Sequence, residues 1–167
     1  MVFICGPSAV GKSAVAVELA LLLNGEIISC DAMQVYKEIG IASDKPSAKT
    51  LADVKHHLLD VVSVEDEFNV ARYRELALQA IGEVRSRHKL PVICGGSGMY
   101  MMALLDGIFN GGEVDRSLRK KLEQEAASNG LMVSYERLRS VDPEAAARIK
   151  PNDRQRIVRA LEVFEAT

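Results

Sequence analysis

The sequence predicts an α/β fold, a parallel sheet flanked by helices, followed by an all-α part. Three observations favour it. Short apolar runs at residues 1–5, 26–30 and 90–94 alternate with segments of helical periodicity, which is typical of βαβ units. A glycine-rich turn follows the first run directly. After about Asp106 the pattern becomes charged and helical, without further apolar runs of strand length.

Each element of the α/β part has its own signal. The first helix should end at Asn24-Gly25, because glycine is favoured just past a helix end. The segment 31–51 has small polar residues and is predicted to be a loop. Besides the three apolar runs, the predicted elements are a helix at 12–23, a short strand at 57–62, and helices at 70–87 and 99–105.

The last third is predicted to be helical throughout, with helices at 115–129, 132–141, 143–149 and 153–165. Asp153 is a plausible N-cap, and Asp142-Pro143 puts proline at a helix start. We therefore predict an α/β core over 1–112, a helical insertion over 113–150 and a helix over 151–167 that returns to the core.

Bulk composition favours an ordinary globular domain. The chain has 167 residues, 48% of them hydrophobic, and a formal net charge of −2. A protein that coats nucleic acid non-specifically is usually strongly basic, so any RNA-binding surface must be local. The three cysteines form no CxxC pair, which favours a reducing compartment and buried thiols. Without a leader-like or membrane-length apolar segment, we expect a cytoplasmic protein.

The glycine-rich turn carries the strongest motif. Residues 6–13, GPSAVGKS, match G-x-x-x-x-G-K-[ST] in full, between a predicted strand and a predicted helix. Main-chain amides of such a loop bind phosphate oxygens, a lysine adds a positive charge, and a serine hydroxyl can coordinate Mg²⁺. The motif predicts a P-loop NTPase-like fold and a phosphorylated ligand. Its members are Gly6, Pro7, Ser8, Ala9, Val10, Gly11, Lys12 and Ser13.

Two further segments should meet the P-loop, because ligands bind beyond the carboxyl ends of parallel strands. Asp31 follows the second strand and is the candidate catalytic carboxylate; the alternative is an aspartate that caps a turn. Ser97 follows the 90–94 strand, and its hydroxyl is expected either to contact a ligand or to stabilise the turn. That strand ends in Gly-Gly rather than in a magnesium-binding aspartate, which weakens a nucleotide-hydrolysing interpretation.

Two other clusters are informative. Basic residues concentrate between Arg148 and Arg159, which indicates either a nucleic-acid contact or a solvated helix paired with its own glutamates. His56-His57 invites a metal interpretation, but adjacent histidines rarely bind one metal. A structural or substrate-positioning role is favoured for both.

Together these blocks resemble the tRNA dimethylallyltransferase (tRNA isopentenyltransferase) family. GPSAVGKS is similar to that family's GPTASGKS, and residues 25–36, GEIISCDAMQVY, to GEIISADSMQVY. Residues 56–60, HHLLD, resemble HHLID, and residues 91–105 resemble PVIVGGTGLYLRALL. Residues 142–165 are close to the family's DP–A–RI–PND–RI–RALEV–E pattern. The blocks occur in the family's order and span nearly the whole chain.

The resemblance implies transfer of a dimethylallyl group from dimethylallyl diphosphate to N6 of the adenine beside the anticodon in tRNA. It assigns the P-loop, otherwise typical of ATP-binding proteins, to the diphosphate. It implies Mg²⁺ at Ser13, Asp31 as general base, and Lys12 and Ser13 as further catalytic residues. The tRNA-binding residues that it implies, by contact with the anticodon stem-loop, are Asp31, Ala32, Met33, Gln34, Ser97, Arg119, Gln155, Arg156, Ile157, Val158 and Arg159.

The resemblance also implies that residues 113–150 bind tRNA and that the protein is a monomer. Because chains of this family continue well beyond this length, it predicts a C-terminally truncated chain. Two alternatives stay open: a P-loop small-molecule or nucleotide kinase, and a truncated remnant that binds its ligands without turnover.

Overall fold

Residues 1–108 and 116–167 are described by the computed structural model, and the chain divides into two units, Met1–Ile108 and Phe109–Thr167. The predicted boundary between residues 112 and 113 lies outside the described residues. The first unit contains, in chain order, β1 (Val2–Cys5), α1 (Lys12–Leu22), β2 (Gly25–Ser29), a 3₁₀ turn (Ile41–Ser43), α2 (Ala48–Asp53), β3 (His56–His57), α3 (Val70–Ser86), β4 (Leu90–Gly95) and α4 (Gly98–Leu105).

The strands of the first unit form a parallel sheet. Within residues 1–108 it has four strands in the order β1-β4-β2-β3. Cys5 is in register with Gly95, and Ser29 with Cys94, so β1, β4 and β2 end at the same edge. This confirms the predicted fold class, and it brings the segments that follow these strands together at one edge.

Alternating side chains of the strands build a core on each face of the sheet. Ile28 and Ile93 pack with buried residues of α3, including Tyr73, on one face. Ile27 and Val92 pack with α1 residues on the other face. Burial on both faces explains why these strands read as continuous apolar runs rather than alternating ones.

The second unit is helical in its described part, 116–167. Its helices are α5 (Arg116–Ser128), α6 (Leu131–Val141), α7 (Pro143–Arg148) and α8 (Arg154–Ala166). The predicted caps at its last two helices are confirmed, because the Asp142 carboxylate accepts from the amide of Ala145 and Asp153 accepts from that of Arg156. None of the helices in the two described ranges is long and apolar enough to cross a membrane.

The apolar face of the last helix packs within the helical unit. Ile157, Val158 and Leu161 of α8 are buried in one cluster with Leu122 of α5 and Leu138 of α6. This face therefore contributes to the core of the helical unit, and the return of 151–167 to the α/β core stays a prediction.

Two predicted elements differ in extent. The segment 31–51, predicted to be a loop, contains the 3₁₀ turn and most of α2, whose N-cap Ser47 accepts a hydrogen bond from the Thr50 amide. The third strand is shorter than predicted, and residues 58–62 contribute only an isolated bridge between Tyr36 and Val62. α2 buries no residue, so it lacks the apolar periodicity by which sequence reasoning finds helices.

Candidate active site

The P-loop joins β1 to α1, in the context that the sequence predicts. Gly11 caps α1 with φ +86°, a left-handed conformation that favours glycine, and Ala9 also has a positive φ of 63°. The Lys12 ammonium donates to the carbonyl of Pro7 and so folds over the loop. The first turn of α1 leaves its amides free for an anion at this end.

The loop opens onto a cavity of about 580 Å³ at the carboxyl edge of the sheet. P-loop residues and the segment after β2 line it together. The predicted site residues around it are Ser8, Ala9, Gly11, Lys12, Ser13, Asp31, Met33 and Gln34. Gly6, Pro7 and Val10 belong to the loop but do not line this cavity. The geometry thus brings the phosphate-binding motif and the candidate base to one space.

Asp31 uses one carboxylate oxygen to shape its own loop. Its Oδ1 accepts from the amides of Met33 at 2.8 Å and Gln34 at 3.3 Å. These bonds form the turn cap that was the structural alternative for this residue, yet Asp31 also lines the cavity. Because Oδ1 is occupied, Oδ2 is the oxygen left to accept a proton from a ligand.

Ser97 holds the same loop from the neighbouring strand. Its Oγ accepts from the amide of Ala32 at 2.9 Å, and its own amide donates to the Cys30 carbonyl at 3.1 Å. Ser97 does not line the cavity. Its hydroxyl therefore positions the residue next to Asp31, and its role in tRNA contact stays a prediction.

Gln34 fixes another part of the cavity wall, a segment of residues 42–46 that we term the strap. Its Oε1 accepts from the Ser29 hydroxyl at 2.8 Å, and its Nε2 donates to the carbonyls of Ser43 and Asp44, both at 3.2 Å. Lys45 fastens the strap further by pairing with Asp60 at 2.6 Å. The side chain of Gln34 is thus fully engaged within the protein.

A close main-chain approach underlies the site. A Cβ at Gly95 would lie 2.0 Å from the carbonyl oxygen of Cys30, so only glycine fits where β4 passes the end of β2. The thiols of Cys30 and Cys94 are buried here, as predicted, whereas Cys5 is exposed. Burial raises the pKa of Cys30 to about 11, which makes this thiol a packing group rather than a nucleophile.

Sequence reasoning missed how differently the two adjacent histidines are placed. His57 Nε2 donates to the buried Glu26 carboxylate at 2.7 Å, and Arg87 and Lys89 pair with the same carboxylate. His56 instead lines the cavity. The sequence could have predicted this difference, because consecutive residues of a strand such as β3 face opposite sides of the sheet.

In the second unit the predicted tRNA-binding residues fall into three groups. Arg119, Gln155 and Val158 line a shallow cavity of about 370 Å³. The exposed Arg156 pairs with Asp153, and Arg159 with the buried Glu162 at 2.8 Å. Ile157 is fully buried in the apolar cluster of the helical unit. Its side chain therefore offers no surface to RNA.

The residues present fit a magnesium ion that is shared with a ligand. Within the described ranges no group of three His, Cys, Asp or Glu side chains could hold a metal by itself. Mg²⁺ usually takes one or two protein oxygens beside substrate phosphates, and the Ser13 hydroxyl lines the cavity next to Lys12.

Comparison with known proteins gives consistent relatives. A family model described as IPP transferase matches residues 34–167. A tRNA dimethylallyltransferase of Anaeromyxobacter sp. is 47% identical over 163 residues, which cover 98% of this chain and 54% of that protein. One from Geobacter sulfurreducens is 46% identical over 167 residues, covering all of this chain and 54% of that protein. The chain thus spans about half the length of these relatives.

Solved structures point to the same group. The full-length tRNA isopentenylpyrophosphate transferase from Bacillus halodurans is 41% identical with a TM-score of 0.65, over 99% of this chain and 55% of that one. A eukaryotic dimethylallyltransferase acting on tRNA is 31% identical with a TM-score of 0.82, over 98% of this chain and 41% of that one. The family model covers most of the sequence, and the P-loop opens onto the cavity that Asp31 also lines. The chain therefore belongs to the IPP transferase family.

Proposed function

We propose that this protein transfers the dimethylallyl group of dimethylallyl diphosphate to N6 of the adenine beside the anticodon of tRNA. The observation that carries the proposal is that Lys12 and Asp31 line one cavity. An anion-binding loop and a carboxylate with a free oxygen are the two groups that the reaction needs. The names of the relatives, which include tRNA dimethylallyltransferase, support the same reaction.

The P-loop is assigned to the diphosphate of the donor. As the bond between the allylic carbon and the diphosphate oxygen breaks, negative charge grows on the leaving group. Lys12 and the loop amides stabilise that charge in place, without reorganisation during the reaction. Ser13 would hold a Mg²⁺ ion together with the phosphates, and the ion would add positive charge at the same oxygens.

Asp31 is assigned to the proton that the adenine amine loses. The N6–carbon bond forms, the carbon–oxygen bond to diphosphate breaks, and one N6 proton passes to Oδ2 of Asp31. The bonds from the Met33 and Gln34 amides to Oδ1 hold the carboxylate in one orientation. Ser97 supports this orientation through Ala32.

The tRNA must deliver an unstacked adenine to this cavity, because a base in a stack cannot present its amine to the allylic carbon. We assign Asp31–Gln34 and Ser97 to the surface around the flipped base. The helical part, with Arg119, Gln155, Arg156 and Arg159, is assigned to the anticodon stem-loop. Its exposed arginines would form salt-sensitive contacts with phosphates.

The direct test incubates the chain with an unmodified tRNA anticodon stem-loop, Mg²⁺ and dimethylallyl diphosphate, followed by mass spectrometry of the nucleosides. We expect prenylated adenine at the position beside the anticodon, and far slower product formation with Asp31→Asn. Binding of both substrates without product would instead identify a non-catalytic fragment. A larger rise in melting temperature with ATP than with dimethylallyl diphosphate would identify a kinase.

A further inference from the structure

His56 lines the cavity, and the proposed mechanism leaves it unused. It is in register with Ile27 of β2, and both residues line the cavity. The neighbouring His57 is held on the other face by Glu26. Of the two histidines, only His56 can therefore contact a ligand in this cavity.

The ring of His56 is held in one tautomer, and its burial favours the uncharged form. Its Nδ1 lies 2.8 Å from the carbonyl oxygen of Val54. A carbonyl only accepts hydrogen bonds, so Nδ1 carries the hydrogen. Burial lowers the pKa of His56, and the neighbouring His57 lowers it further, although the Val54 bond acts in the opposite direction.

The cavity consequently has two unlike ends. Among the described residues that line it, Lys12 carries the only fixed positive charge. Lys12 begins α1, which packs over β4 and β2, whereas His56 lies on β3, the strand beyond β2 in the order β1-β4-β2-β3. A diphosphate held at Lys12 leaves the His56 end to the rest of the donor.

We propose that His56 forms the end wall of the slot for the donor's hydrocarbon chain and so limits the length of allylic diphosphate that the site accepts. The inference rests on the proposed function. A neutral ring suits this position, because a cation here would offer the diphosphate a second place to bind. The flat face of imidazole packs against hydrocarbon, and Ile27 provides an apolar neighbour.

The test measures dissociation constants by calorimetry, in the presence of Mg²⁺, for inorganic diphosphate, dimethylallyl diphosphate and the longer geranyl diphosphate. The proteins compared are the original chain, His56→Ala and His56→Leu. His56→Ala should improve the affinity for geranyl relative to dimethylallyl diphosphate by about tenfold or more, the range in which pockets discriminate methylene groups. His56→Leu refills the space and should keep the original preference.

His57→Ala is the matched control: it should lower the melting temperature through Glu26 and leave the donor preference unchanged. His56→Val, which suits a strand, replaces His56→Ala if that variant melts below the assay temperature. An unchanged donor preference in His56→Ala, or in the His56→Val variant that replaces it, would overturn the proposal that His56 forms the end wall. If the original chain binds dimethylallyl diphosphate no more tightly than inorganic diphosphate, the proposed function fails, and the wall with it.

Discussion

In the proposed mechanism, the carboxylate of Asp31 uses Oδ1 to hold its loop and Oδ2 to accept a proton. Asn keeps an oxygen that can accept from the Met33 and Gln34 amides, but it cannot take a proton. We therefore expect Asp31→Asn to reduce the transfer rate by about 10²–10⁴-fold, the usual contribution of a general base, with donor affinity and melting temperature little changed. Rates from single-turnover product formation, beside calorimetric donor binding, check this.

Asp31→Ala is the informative companion, because it removes the turn cap as well. It should lose transfer like Asp31→Asn and should also lower the melting temperature, since two amides lose their acceptor. Near-native turnover in Asp31→Asn would show that another group accepts the N6 proton. Equal melting temperatures for the two variants would show that the turn does not depend on Oδ1.

Substitution of Gly95 tests how closely the main chain of β4 approaches the end of β2. An alanine Cβ would lie 2.0 Å from the Cys30 carbonyl oxygen, and both partners are main chain. We expect Gly95→Ala to destabilise the protein by about 2 kcal/mol or more, because overpacking forces the backbone apart. Urea unfolding measures the change.

Gly82→Ala is the control for that experiment. Gly82 lies within α3, and nothing is found within 4 Å of an added Cβ. It should stabilise the protein by about 0.5–1 kcal/mol, as alanine does at an exposed helical position. Equal effects of the two substitutions would mean that the sheet edge can relax around Gly95.

At the scale of elements, the buried Glu26 carboxylate ties β2 to β3 and to the turn between α3 and β4. It pairs with His57 at 2.7 Å, Arg87 at 2.7 Å and Lys89 at 3.1 Å. Burial alone would raise its pKa, but the bonds from Arg87, His57 and Lys89 outweigh burial and lower the pKa to about 2. Its ordinary value is 4.5.

This depression fixes the sign of a pH effect. Because the folded state holds the proton more weakly than the unfolded state, the stabilisation is complete above about pH 4.5 and is lost as the pH falls towards 2. We expect a loss on the order of 2 kcal/mol over this window. Chemical denaturation at several pH values should show this loss in the free energy of unfolding, and Glu26→Gln should reduce the pH dependence. A variant curve as steep as the original would assign the acid sensitivity to other carboxylates.

The elements also show what the sequence could predict. The strands and long helices were predictable because their apolar residues repeat with a clear period, and the P-loop because its motif is local. The strap and the orientation of the Gln34 amide were not predictable, because they depend on contacts between Gln34 and Ser43 that no local pattern encodes. The sequence predicts α8 itself but not the helices that it packs against, because an apolar helical face does not identify the residues that cover it.

At the scale of the whole molecule, the predicted chemistry and the predicted tRNA contacts of residues 119 and 155–159 belong to different units. The residues that line the large cavity all lie within Met1–Ile108. The helical unit has its own buried cluster, which includes Leu122, Leu138 and Leu161. Separate cores permit donor binding and tRNA binding to be weakened independently, provided that the units do not unfold as one.

Leu138→Ala tests this independence. Leu138 is fully buried in the helical unit, so truncation should cost about 2–5 kcal/mol there. We expect faster amide hydrogen exchange in α6 and α8, weaker tRNA binding, and a dissociation constant for dimethylallyl diphosphate within about twofold of the original. Val133→Ala, on the same helix but 57% exposed, should change none of these. If Leu138→Ala also accelerated exchange in β2 and β4 and weakened donor binding in proportion, the two units would unfold as a single cooperative body.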